Sequence, residues 1–105
     1  MKVAITSTGN SLESTVDPRF GRCAYFAIYD TDSKAIAFIP NPARHVEEGA
    51  GPKAVQQVAS YEAKKIVSGE FGMKIKPLLD SLKIQMIVVK DPEKKIMDIM
   101  EMLNH

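Results

Sequence analysis

A mixed α/β fold, with five strands in one sheet and helices on both of its faces, is what this 105-residue sequence predicts. Two β-rich runs separated by a short polar turn in the first half mark an antiparallel hairpin. From about residue 50 onward, β-rich runs alternate with helical stripes, which is the pattern of parallel βαβ units. The length leaves room for one core, so residues 1–105 are read as a single domain.

The elements follow in order. Residues 3–7 form a first strand, and Gly9-Asn10 signals a turn in the polar loop after it. Residues 16–23 fit neither the helical nor the strand period. Residues 24–29 and 35–39 are the hairpin strands, ended by Pro40 and Pro42, which cannot donate to a sheet ladder. Gly51-Pro52 opens a helix, with Val55, Val58, Ala59 and Glu62 on one face. A short strand around Ile66-Val67 comes next. Ile75, Leu78, Leu79 and Leu82 then mark a second helix starting near Lys74, close enough for Pro77 to be tolerated. The apolar run 84–89 reads as a buried parallel strand. Asp91-Pro92-Glu93 has the capping aspartate, first-turn proline and acid of a last helix, with Ile96, Ile99, Met100 and Leu103 as its buried stripe. This order is similar to a truncated ribonuclease H-like fold, with right-handed crossovers in its second half.

Composition excludes several classes of function. The net charge of +1 gives no pull towards nucleic acid or membrane, and the lysines are scattered among acids. One cysteine, Cys23, rules out an internal disulfide and reads as a reduced, cytoplasmic chain. The amino-terminal apolar run is too short for a signal peptide, and no stretch approaches a membrane span. Two histidines, one of them the terminal His105, which is expected to be disordered, argue against a catalytic triad. The first strand has no carboxylate to hold magnesium, so no nuclease activity is expected. Met97, Met100 and Met102 read as gap-fillers at and beside a core stripe.

Two segments can carry chemistry. In Val16-Asp17-Pro18-Arg19-Phe20-Gly21-Arg22-Cys23, Asp17-Pro18 starts a turn and Gly21 frees the backbone. Arg19 and Arg22 offer forked donors to an anion. Cys23, beside these cations, would gain thiolate character and become a soft-metal ligand. The same residues also fit a structural turn with an arginine paired to Asp17 and a small buried cysteine. In the second segment, Gly49 and Gly51 let the backbone approach a ligand at a helix start, whose free amides and dipole favour an anion. The structural alternative is a flexible helix start. His45, upstream, is a candidate metal ligand or an exposed loop histidine. The two segments are expected on one end of the molecule, forming a single anion-binding surface.

Val16-Asp17-Pro18-Arg19-Phe20-Gly21-Arg22, followed by Ala24-Tyr25-Phe26, resembles the signature of the dinitrogenase iron–molybdenum cofactor-binding family. Gly49-Ala50-Gly51 falls where that family has a second glycine-rich loop, and the resemblance spans essentially the whole chain. It implies a ribonuclease H-like fold and binding of iron–molybdenum cofactor or an iron–sulfur precursor, without catalysis. Arg19, Gly21, Arg22, Cys23, Gly49 and Gly51 are then the expected cofactor-binding residues, with Cys23 and His45 as metal ligands. Cofactor-assembly proteins are the expected partners. The sequence departs from the family at Glu47-Glu48, where many members have histidine, and at the third loop, Gly69-Glu70-Phe71-Gly72-Met73. A small-anion or nucleotide-binding regulator using the same loops is the alternative.

Overall fold

The computed structural model describes residues 1–104, and the expectation about His105 lies outside the described residues. The chain runs β1 (Lys2–Ser7), β2 (Tyr25–Asp30), β3 (Ile36–Pro40), α1 (Ala50–Ser60), β4 (Ala63–Ser68), α2 (Lys76–Ser81), β5 (Gln85–Val88) and α3 (Ile96–Leu103). The five strands form one sheet in the order β3-β2-β1-β4-β5. β1 pairs antiparallel with β2 and parallel with β4, so it is the seam between the two halves of a mixed sheet.

The strands alternate inward residues between two cores, as the pleat requires. Ala4, Phe26, Ile28 and Ile66 pack with Ala54, Val55 and Val58 of α1 and Leu79 of α2. Val3, Ile5, Ala27, Tyr29 and Val67 pack on the opposite face with Ile96 and Ile99 of α3. The helices therefore cover both faces, as expected. β1 and β2 are buried along most of their length, and no helix of the described residues is long and apolar enough to cross a membrane.

Four expectations are corrected. The last helix starts at Ile96, not at Asp91. The Asp91 carboxylate instead accepts the Glu93 amide in a turn at 2.9 Å, and Val16 N–H takes the Lys94 carbonyl at 2.8 Å. The carboxylate of Asp98 then caps the helix by accepting Lys95 N–H at 3.0 Å. The second helix starts at Lys76 rather than near Lys74 and has only six residues. Glu62 lies beyond the end of α1 with φ of 62°, a left-handed terminator where glycine is usual. Finally, β5 is an edge strand, half-buried rather than buried, because no strand of the described residues pairs beyond it.

Candidate functional site

Three loops meet at one end of the sheet. The first, after β1, is held by buried Thr6: its hydroxyl donates to the Asp17 carbonyl at 2.7 Å, and Asp17 N–H donates to the Thr6 carbonyl at 2.9 Å. The buried Asp17 carboxylate folds the turn on itself by accepting Arg19 N–H at 2.9 Å. The third loop is pinned to the first where Gly69 N–H donates to the Asp17 carbonyl at 3.3 Å. The second loop is tied to the first by Asn41, whose amide donates to the carbonyls of Gly21 and Cys23, both at 3.0 Å.

Glycines make this packing possible. A Cβ on Gly21 would lie 3.0 Å from Gly51 N and 3.1 Å from Gly51 Cα. A Cβ on Gly51 would lie 2.7 Å from Ile75 Cγ2, which belongs to the third loop. Gly49 takes φ of 74°, a left-handed value that suits glycine, and turns the chain into α1. The expected meeting of the turn with the helix start is thus observed. A cleft of about 1000 Å³ opens there, walled by Gly21 and Arg22, by residues 48–52 and by residues 72–75.

Gly49 has no side chain to cap α1, so the amides of Ala50 and Gly51 find no partner among the described residues. With the positive end of the helix dipole, they give the cleft an anion-seeking floor. Arg22 and Lys74 add two cations to its walls, opposed by the single carboxylate of Glu48.

The other expected site residues are placed elsewhere. Arg19 does not line the cleft; its guanidinium turns back to Asp17, with Nε 3.4 Å from Oδ1. Arg22 is partly committed, since Nη1 donates to the Val46 carbonyl at 2.7 Å and to that of Arg44 at 3.2 Å, and Nη2 to that of Glu47 at 3.3 Å. It holds the 44–47 loop in place. His45 is exposed on that loop and is not part of the cleft wall.

Cys23 departs furthest from expectation. The thiol is fully buried in the core under α1, and burial, followed by the Asp17 carboxylate, pushes its pKa up from 9.0 to about 12. The expected thiolate is corrected: the fold buries the thiol among apolar side chains, which disfavours its charged form. Alkylation of the native protein at neutral pH should be negligible and become complete on unfolding, as mass spectrometry can check. The raised pKa also sets a pH window. Below pH 9 both states keep the proton and stability is full; between 9 and about 12 only the unfolded state releases it, so stability falls as pH rises.

Asn41, Met73 and Lys74 were missed by sequence reasoning. Asn41 lies between two prolines, a turn context that could have flagged it. Met73 and Lys74 follow Gly72 in the third loop; Met73 is 84% exposed.

The model of the dinitrogenase iron–molybdenum cofactor family matches residues 1–105. The chain belongs to this family. It is similar to the apo form of the orange protein from Desulfovibrio gigas, with 28% identity and a TM-score of 0.88 over 95% of this chain and 83% of that one. A Thermotoga protein described as a candidate NifB protein is also 28% identical, with a TM-score of 0.81 over 95% of this chain and 84% of that one. A Methanocaldococcus jannaschii protein described as a candidate dinitrogenase, 22% identical with a TM-score of 0.61 over 98% and 90%, shares the fold. No curated protein matches the chain. Family membership associates the chain with iron–molybdenum cofactor chemistry.

Proposed function

We propose that this family member binds a preformed anionic metal–sulfur cofactor, iron–molybdenum cofactor or an iron–sulfur precursor, in the three-loop cleft and carries it between assembly proteins of the cytoplasm. No reaction is catalysed. The observation that carries this reading is the uncapped start of α1 facing a cleft walled by Arg22 and Lys74 in a chain of this family. The fold is read as a truncated ribonuclease H-like sheet whose first strand, KVAITS, has no carboxylate for nuclease metals.

The donor set decides how the cargo is held. Cys23 is buried and protonated, and among the described residues no three His, Cys, Asp or Glu side chains converge as metal ligands. A permanent iron–sulfur centre is commonly held by four thiolates. Here the cluster keeps its own sulfur ligands and is held from outside by amides, cations and the cleft wall. Such binding breaks no metal–ligand bond on release, as a carrier requires.

Anaerobic incubation with a preformed, thiol-capped iron–sulfur cluster anion tests this. Colour should be retained through desalting at low salt, lost at high salt and weakened by Lys74→Glu. Cys23→Ser should melt lower by about 1–2 kcal/mol of stability yet hold as much cluster. Loss of colour in a folded Cys23→Ser protein would show thiolate ligation and overturn the external mode. Stabilisation by phosphate or nucleotide without any colour would favour the small-anion regulator.

A further inference from the structure

The outer edge of β5 has chemistry that the cleft does not use. Val89 N–H donates inward to the Ser68 carbonyl at 2.9 Å. Peptide groups alternate sides along a parallel strand, so those of Met86 and Val88 point outward. No strand of the described residues pairs with them. The strand, QMIV, contains no charge or proline of the kind that guards exposed edges, and Val88 is 50% exposed. Beside it runs a groove of about 360 Å³ lined by Phe71, Met86, Val88, Lys76, Lys90 and Glu70. Its floor is apolar, and its charges are two lysines and one glutamate.

We propose that this edge docks an extended segment of a partner protein, alternating acidic and apolar residues, as an added strand beside β5. Backbone pairing with Met86 and Val88 would give affinity, and the groove would select side chains. Charge selects the occupant. A second copy of this chain would bring up a groove of the same net positive charge, whereas an acidic strand meets Lys76 and Lys90 favourably. The other free edge, β3, ends in Pro40, and the hollow beside it contains both Lys2 and Asp30, so it shows no such preference. The loop 69–75 places Phe71 in the groove and Met73 and Lys74 in the cleft wall, so a docked segment lies next to the cleft rim. The inference does not depend on what the cleft holds.

The test titrates ¹⁵N-labelled, cargo-free protein with a capped peptide alternating Glu and Val, and separately with one alternating Lys and Val. The acidic peptide should shift the amides of Phe71, Met86 and Val88, slow hydrogen exchange at Met86 and Val88, and bind more weakly as salt rises. Val88→Pro removes an outward donor and leaves the β4 ladder intact; it should bind about tenfold more weakly. The double variant Lys76→Glu/Lys90→Glu should exchange the preference for the lysine peptide, and it decides the matter if Val88→Pro does not fold. Equal binding of both peptides, shifts centred on β3, self-association through β5, or no shift with peptide in large excess would each overturn the proposal.

Discussion

Gly69→Ala should lower the melting temperature by roughly 10–20 °C, corresponding to about 2–3 kcal/mol of overpacking in a domain of this size. The added Cβ would lie 2.4 Å from Pro18 Cα and 3.2 Å from the Pro18 carbonyl carbon. Both are backbone atoms of a turn already fixed by the Thr6 and Asp17 hydrogen bonds, so no side chain can swing away. Relief requires the first and third loops to part, which stretches the Gly69–Asp17 hydrogen bond. Gly72→Ala is the matched comparison, because its Cβ would meet nothing within 4 Å. Thermal unfolding followed by circular dichroism reads both. Equal melting temperatures for the two variants would mean that the loops slide past one another freely and that the cleft has no rigid wall.

Arg22→Ala should speed amide exchange across residues 44–49 and weaken cluster binding, each about 10- to 100-fold, as expected from removing charged hydrogen bonds worth about 1.5–3 kcal/mol. One guanidinium spans three carbonyls of the second loop, those of Arg44, Val46 and Glu47. Without it, the segment leading to Gly49 loses its anchor to the first loop, and the amides at the start of α1 lose a fixed position. Arg22→Lys should not restore either property, since an ammonium lacks the planar fork that reaches several acceptors at once. Exchange measured by NMR and cluster occupancy measured by absorbance separate two roles. Unchanged exchange with abolished binding would place the guanidinium on the cargo itself rather than on the loop.

Local patterns in the sequence revealed the hairpin of β2 and β3, the alternation that follows, and the approach of Gly21 to the helix start at Gly49–Gly51. The first two rest on short-range signals, prolines that stop a strand and a proline inside a helix start; the third rests on open α/β sheets gathering their ligand loops at one end. What escaped depends on partners distant in the chain. Asp91-Pro92-Glu93 has the composition of a helix start, but Val16 and Ser14 claim the backbone of Lys94 and Ile96 and delay the helix. Arg22 and Arg19 look alike in sequence, yet one reaches a loop more than twenty residues away while the other folds back on Asp17. The burial of Cys23 depends on α1 lying over it, which no neighbour in the sequence announces. The apolar run containing β5 could not show that the sheet ends there.

The position of β1 also governs the order in which the chain can fold. Its antiparallel partner β2 and the next strand β3 follow closely, so this three-stranded half can assemble early. Its parallel partner is reached only where Lys2 meets Ala63, across more than half the chain. Closing so long a loop is slow, and contacts of that range are made late. During synthesis the apolar edge of β1 must therefore wait open until β4 emerges. The cleft needs Ile75 from beyond β4, so a nascent chain cannot take up cargo before the chain has grown past the parallel partner of β1.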